Sequence, residues 1–385
     1  MADRALQRCL NVDDVRNLAR RRVPGPIFDF IDGGREDEVT LQRNIDDFRT
    51  LKIVPRVLRN VTNVEPRIRA LGCELSFPLI LAPTGGQTFL DPAGELVAAR
   101  AAARAGIMYS LSSFASQTIE AVADVGPGPR MFQLNALVDD DFNTELIQRA
   151  KQARFDVFCL TVDNPVSSRA ERFERWAFAP GRMPPLRTML EFARHPGWTL
   201  RQRGLKARAS PYIIRELHRR GMQFGTSLAG LSKSTFRRDL DWDDAARMRR
   251  QWDGPFLLKG ILNVEDARQA VNIGATGIAV CNHGGYALDG APSSISVLHE
   301  IADAVGDKAE IVLGSGIRRG TSIVKSLALG ADAVLLGRAF LYGLAAAGEA
   351  GVAHVIELLR TEFVTALAAS GCTRPDELNE DFVRA

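Results

Sequence analysis

Eight short apolar runs, each followed by a helical pattern, constrain the fold of this 385-residue chain more than any other feature. They are "FPLILAP" (77–83), "IMYSLSS" (107–113), "RMFQLNA" (130–136) and "VFCLTVD" (157–163). After a gap come "PFLLKGI" (255–261), "GIAVCNH" (277–283), "EIVLGSG" (310–316) and "AVLLGRA" (333–339). A strand half exposed to water alternates apolar and polar residues. Most of these runs do not, so they read as parallel strands buried on both faces. The stretches between them, such as "PAGELVAARAAARAG" and "NVEDARQAVNIG", are amphipathic, and several close on a glycine where a helix C-cap falls. Eight such units predict an α/β protein, a closed (β/α)8 TIM barrel forming a single domain over 1–385. An open doubly wound sheet is the rival, but its dinucleotide fingerprint is missing: "GSGIRRG" (314–320) carries Arg319 where the last glycine is needed.

Two segments fall outside the repeat. Residues 1–70 hold "VDDVRNLARRRV" and "FDFIDGGREDE" and read as an N-terminal helical cap. Residues 166–240 form a long insertion after the fourth strand, the position of a lid over a barrel mouth. From Arg182 to Arg220 this insertion has ten Lys or Arg against two Glu. It reads as a solvated, mobile lid, with a membrane-surface or partner contact as the alternative. A net charge of +3 is too small in a chain of this length to point to nucleic acid. The five cysteines are scattered and form no CxxC pair, so reduced thiols in a cytoplasmic protein are expected, with no disulfide framework and no metal site. The start of the chain is charged and lacks the apolar core of a signal peptide, and no apolar stretch of about 20 residues suggests a membrane span.

In a barrel of this kind, function sits at the C-terminal ends of the strands. There the chain places Ser112, Gln133, Thr161, Asp163, Lys259, His283, Ser315, Arg318, Gly337 and Arg338. Each has a plain structural explanation on its own: a strand-end Asp caps helices, a Lys snorkels, a lone His fills space. Their convergence on one mouth outweighs those readings. "GSGIRRGTS" after the seventh strand and "LGRAF" after the eighth are glycine turns opening helices. Backbone N–H groups at such turns bind a dianion, and Arg318 and Arg338 can add charge-assisted hydrogen bonds. A phosphorylated cofactor is therefore expected, together with a small-molecule substrate.

These motifs resemble the FMN-dependent α-hydroxy acid oxidases and dehydrogenases. "LILAPTG", "LTVDNP", "LLKGI", "NHGG" followed by "LDG", and "RRGTSIVKSLALGADAVLLGR" fall in the family's order over nearly the whole chain. The resemblance implies FMN held by Pro83, Thr84, Gly85, Ser112, Gln133, Thr161, Lys259, Arg318, Gly337 and Arg338. It implies His283 as the base that takes a substrate proton, Asp163 as the carboxylate that orients it, and Lys259 as the charge facing the flavin N1/C2 edge. It also suggests a homotetramer and leaves the electron acceptor open among oxygen, a quinone and a protein.

The chain departs from the family pattern at named positions. The arginine that grips a substrate carboxylate after "NHGG" is Tyr286, and its companion after "LTVD" falls at Ala170, beside Arg169. Two active-site tyrosines fall at Phe30 and Asn135. Losing a bidentate arginine removes a contact worth about 1.5–3 kcal/mol, so a small 2-hydroxy acid is expected to bind poorly. In the cofactor site, Cys281 replaces a serine, and Gly314, Ser315 and Gly316 replace Asp-Gly-Gly. The expectation is oxidation of a C–H bond next to a hydroxyl or amine in a substrate that is not a simple 2-hydroxy acid. "NHGGYALDGAPSSI" further resembles the pre-mycofactocin synthase branch, which oxidises a peptide-derived cyclic amine. A conventional hydroxy acid dehydrogenase anchored by Arg169, a flavin-dependent isomerase and a non-catalytic flavin barrel are the other readings.

Overall fold

The computed structural model describes residues 3–166, 168–177, 183–202, 211–221 and 235–384. All eight expected runs are strands: β1 (Leu79–Leu81), β2 (Met108–Ser112), β3 (Arg130–Asn135), β4 (Val157–Thr161), β5 (Phe256–Ile261), β6 (Gly277–Val280), β7 (Glu310–Gly314) and β8 (Ala333–Leu336). Each pairs in parallel with its chain neighbour, and β8 closes on β1 through Val334 opposite Leu79. The chain is a closed (β/α)8 barrel.

Burial explains why the runs are continuous. Alternate residues, among them Ile80, Met108, Met131, Val157, Cys159, Leu257, Ala279, Val312 and Leu335, fill the barrel interior. Their neighbours in sequence pack outward against the helices in a second, larger core. Both faces are dry, so no polar alternation survives. The hairpin Ile68–Ala70 with Cys73–Leu75 joins the interior cluster through Ala70, Leu71 and Leu75. Leu71 N–H donates to the Glu310 carboxylate at 2.5 Å, at the start of β7, which fixes this hairpin as the plug of the N-terminal end.

The N-terminal cap contains the helices Arg4–Gln7, Val12–Arg22, Gly25–Asp32 and Val39–Thr50. Asn11 caps the second by accepting from Asp14 N–H at 2.8 Å. The last helix, Arg338–Ala369, is long and apolar enough to cross a membrane, which corrects the expectation of no such stretch. Most of that apolar window is buried, and the helix is kinked at Ala347 and Gly348 while it packs beside Val12–Arg22. It is apolar because the cap and the barrel cover it.

In the insertion after β4, the described residues include the helices Glu171–Glu174, Leu186–Ala193, Pro196–Arg201 and Tyr212–Arg219. Its described parts are docked, and to that extent the reading of a purely solvated, mobile lid is corrected. Trp198 Nε1 donates to Phe89 O at 2.9 Å and Gln202 Nε2 to Thr88 O at 3.0 Å. Tyr212 N–H donates to Ala115 O at 2.8 Å, while Ile213 and Leu217 are buried. Part of the basic stretch counted from the sequence lies outside the described residues. All five cysteines are free.

Candidate active site

The turn after β6 builds the site. Asn282, 1% exposed, exchanges amide hydrogen bonds with Asn44 of the cap at 2.8 and 2.9 Å and donates to Pro292 O at 2.9 Å. Its oxygen also accepts from Ser315 Oγ at 2.9 Å and Gly285 N–H at 3.2 Å. With Asn282 pinned from four sides, the next residue leaves the strand direction sharply: His283 has φ 56°, a left-handed conformation that a side chain rarely adopts. Such a strained position is held only where surrounding contacts over-determine it.

His283 Nδ1 lies 3.0 Å from Asp163 Oδ1, and Lys259 Nζ approaches the same nitrogen at 3.4 Å. Nδ1 carries one proton or one lone pair, so the shorter contact to a carboxylate makes it the donor and leaves Nε2 as the accepting nitrogen. Burial alone would raise the Asp163 carboxyl, but Lys259 and His283 prevail and hold it below its ordinary value. Lys259, 5% exposed, is pushed down by burial and raised by Cys281 and Asp163, with the balance upward. Both partners of the buried pair are therefore held in their charged forms. Asp163 Oδ2 is buried with no hydrogen-bond partner among the described residues.

The expected cofactor residues sit at the strand ends and turns of the same closed barrel. Thr84 Oγ1, on the turn with Pro83 and Gly85 after β1, accepts from Gln87 Nε2 at 3.0 Å. Ser112 ends β2 and accepts from Phe114 N–H at 3.1 Å, and Gln133 Nε2 donates to Thr161 Oγ1 at 2.7 Å. Arg338 opens the helix after β8 and donates to Gly284 O and Gly33 O, both at 2.7 Å. Its Nε is buried without a partner among the described residues, and a Cβ at Gly337 would meet only open space. Arg318 stands 5.8 Å from the centre of the Tyr342 ring. One detail differs from expectation. Gly320 N–H, at the start of the helix after β7, is taken by the Glu362 carboxylate at 2.8 Å. That leaves the Ser315–Arg318 turn and the β8 turn to meet a phosphate.

Two departures from the family pattern are coupled in space. A Cβ at Gly314 would lie 2.7 Å from Cys281 Cβ, so the missing carboxylate and the cysteine share one volume. Ser315 takes φ 78° and uses its hydroxyl to receive Gly284 N–H at 3.1 Å. The orphaned Arg338 Nε and Asp163 Oδ2, the open turn at Gly337 and the buried Lys259 fit a group that brings both a phosphate and a polar ring edge.

Phe30, expected on the substrate side, packs among aromatic rings. It lies edge-to-face with Phe89 at 6.0 Å and against Phe173 at 5.6 Å. Asn135 donates to Ser113 Oγ from its backbone N–H at 3.0 Å and from Nδ2 at 3.4 Å, and Ala170 is buried. Arg169, the anchor in one of the alternative readings, is 73% exposed and paired with Glu174 at 3.1 Å, just before Glu171–Glu174. Arg35 was missed. It is 9% exposed, its guanidinium sits 3.9 Å from the centre of the Tyr286 ring, and Nε donates to Tyr286 O at 3.0 Å. Neither Arg35 nor Asn44 carries a sequence signal, since both come from the cap.

The family model for FMN-dependent dehydrogenases matches residues 19–385. An L-lactate dehydrogenase of Chromohalobacter salexigens is 39% identical over 96% of this chain and 93% of that protein. Among solved structures, a monotopic membrane protein, (S)-mandelate dehydrogenase, superposes with TM-score 0.87 at 33% identity, covering 98% of this chain and 100% of that one. An arginine-to-leucine variant of mandelate oxidase with 2-hydroxy-phenylacetamide does so with TM-score 0.81 at 34% identity, covering 98% of both chains. With a matching barrel, a His–Asp–Lys cluster at its mouth and a fitting cofactor cradle, the chain belongs to the FMN-dependent dehydrogenase family, as an FMN-dependent oxidoreductase acting on CH–OH groups.

Proposed function

We propose that this chain oxidises the hydroxyl-bearing carbon of a 2-hydroxy acid that carries an apolar or aromatic side chain. The observation that carries this reading is the His283–Asp163 contact of 3.0 Å with Lys259 alongside. His283 accepts a substrate proton at Nε2, and the Asp163 carboxylate holds the ring and stabilises the imidazolium. Bound FMN supplies the two-electron acceptor. Lys259 would set a buried positive charge beside the flavin, and Arg318, Arg338 and the turns at Ser315 and Gly337 would hold its phosphate. Thr84, Ser112, Gln133 and Thr161 would supply the remaining polar contacts. Phe30, Phe89 and Phe173 form an apolar wall that excludes water.

The relatives named for lactate and mandelate favour a hydroxy acid over the cyclic amine that Tyr286 suggested. A neutral 2-hydroxy amide is the second reading. It is favoured by the buried Ala170 and by the relative whose arginine is replaced and whose ligand is an amide.

We further propose a cytoplasmic protein whose lid meets a membrane surface, where the electron acceptor is reached. Met183, Leu186, Met189, Leu190 and Leu200 are exposed on a segment that also carries Arg187, Arg194 and Arg201. An apolar face flanked by cations is what binds an anionic bilayer. One relative is a monotopic membrane protein.

The test of the reaction is anaerobic mixing with lactate, mandelate and larger 2-hydroxy acids, following loss of oxidised-flavin absorbance. His283→Ala should keep the flavin spectrum and slow reduction by about 10²–10⁴-fold. The reading is rejected if no 2-hydroxy acid reduces the flavin or if the variant reduces it at the parent rate.

A further inference from the structure

The cradle proposed above sets Arg318 and Arg338 against one phosphate, and two like charges brought to one anion repel each other. Arg338 registers this: burial and the neighbouring Arg318 lower its pKa, while Tyr342 and Asp32 raise it. The groups that hold the two guanidiniums come from the cap and the last helix. Gly33 O accepts from Arg338 Nη2 at 2.7 Å. The preceding residue, Asp32, ends the helix Gly25–Asp32 and is 4% exposed. Its carboxylate accepts from the Tyr342 hydroxyl at 2.8 Å, and Tyr342 lies one turn beyond Arg338 on the same helix. The Tyr342 ring is buried and stacked on Phe28 at 6.4 Å, with the Arg318 guanidinium 5.8 Å from its centre.

Asp32 is itself fixed. Arg16 donates to both of its oxygens, at 2.5 and 2.8 Å, and Arg172 Nη1 donates to Oδ2 at 3.0 Å. With Tyr342 these make four hydrogen bonds, about what a carboxylate can accept. Burial alone would raise the Asp32 carboxyl, but Arg16, Tyr342 and Arg172 outweigh it and hold it below its ordinary value. A phenol that donates to a carboxylate is polarised, which makes its ring face more attractive to a cation.

We propose that Asp32 is a positioning residue for the cofactor phosphate, acting through Tyr342 on Arg318 and, with Gly33, on Arg338. The inference rests on the phosphate placement proposed above. A carboxylate would repel a phosphate in direct contact, so Asp32 works through the two cations. Side chains fixed beforehand lose less freedom when the anion binds, which raises affinity without adding a contact. Through Arg172 the same carboxylate ties the insertion helix Glu171–Glu174 to the cradle.

Riboflavin, which is FMN without its phosphate, separates positioning from general support. Full-length apoprotein prepared from the holoenzyme is titrated with FMN and with riboflavin, following flavin fluorescence. The parent should bind FMN more tightly. Asp32→Asn should weaken FMN by about 10–100-fold and leave riboflavin within about 2-fold. That variant leaves Arg16 and Arg172 short of a counter-charge, so Tyr342→Phe, which keeps both pairs, carries the test where folding suffers. It should weaken FMN by about 3–10-fold, again with riboflavin within about 2-fold. A merely structural role would weaken both flavins alike. The proposal is overturned if Tyr342→Phe weakens both flavins equally or weakens neither. Arg338→Ala is the control on the site. If it too leaves the ratio of FMN to riboflavin affinity unchanged, the phosphate placement fails and the inference with it. If Arg338→Ala lowers that ratio and Tyr342→Phe does not, the placement stands and the role of Asp32 is rejected.

Discussion

Gly260 and Asp163 occupy adjoining volumes with no room for a side chain between them. A β-carbon at Gly260 would lie 2.4 Å from Asp163 Cβ and 2.5 Å from its Cγ. The backbone there has φ 114°, at a register shift between Lys259 and Ile261 in the pairing of β5 with β6. The irregularity lets Lys259 and Ile261 both be buried, and it opens the space in which Asp163 meets His283.

Gly260→Ala should therefore displace Asp163 and strain the strand. Its melting temperature should fall, with a loss above about 1 kcal/mol. Flavin reduction should slow at least as much as in Asp163→Asn, which keeps the volume but removes the charge. Stopped-flow reduction and thermal unfolding of both variants check this; parent-like kinetics in Gly260→Ala would show that Asp163 does not need this space.

Arg338→Ala should cost FMN affinity by about 10–100-fold, because a desolvated phosphate loses a charged partner. It should also loosen the His283 turn, since Arg338 joins Gly33 O to Gly284 O. Arg338→Lys should rescue little, as an ammonium cannot span both carbonyls in the same geometry. Flavin fluorescence released on dilution measures the loss. Unchanged retention in the alanine variant would place the phosphate elsewhere.

Glu95 gives a pH dependence. It is fully buried at the start of the helix Glu95–Ala105, one oxygen receiving Ser116 N–H at 3.1 Å and the other without a partner among the described residues. Burial, opposed by the backbone N–H of Ser116, raises its pKa from 4.5 to about 7. Between those values the folded protein keeps a proton that the unfolded chain has released. Stability from this group is thus full below about 4.5, declines as pH rises to about 7, and is level above. The total is on the order of 3 kcal/mol. Denaturant unfolding at several pH values should show that decline in the parent and not in Glu95→Gln; parallel curves would contradict it.

Leu186→Asp with Leu190→Asp should reduce co-sedimentation with vesicles containing anionic lipid and leave anaerobic flavin reduction by a soluble substrate unchanged. Both residues are exposed, so folding should tolerate the change. Equal sedimentation of parent and variant would remove the lid as the contact.

The barrel was legible in the sequence because each strand is dry on both faces, and that leaves a continuous apolar run such as "AVLLGRA". His283, Asp163 and Lys259 were legible too, as polar residues closing apolar strands, and the structure brings the three together. The direction of Arg169 was not legible, because adjacency to Ala170 says nothing about where a side chain points: the structure pairs it with Glu174 and leaves it exposed. Arg35 and Asn44 lie 238 or more positions from the turn they support, in helical and loop segments without periodic or motif signals. Apolar periodicity and strand-end chemistry are local properties of the chain, and the sequence by itself determined the barrel and the identity of its polar rim. Which charge faces Tyr286, what pins Asn282 and where Asp163 finds room depend on packing between cap and barrel. Those relations arise from close approach of distant segments, and only the tertiary structure decided them.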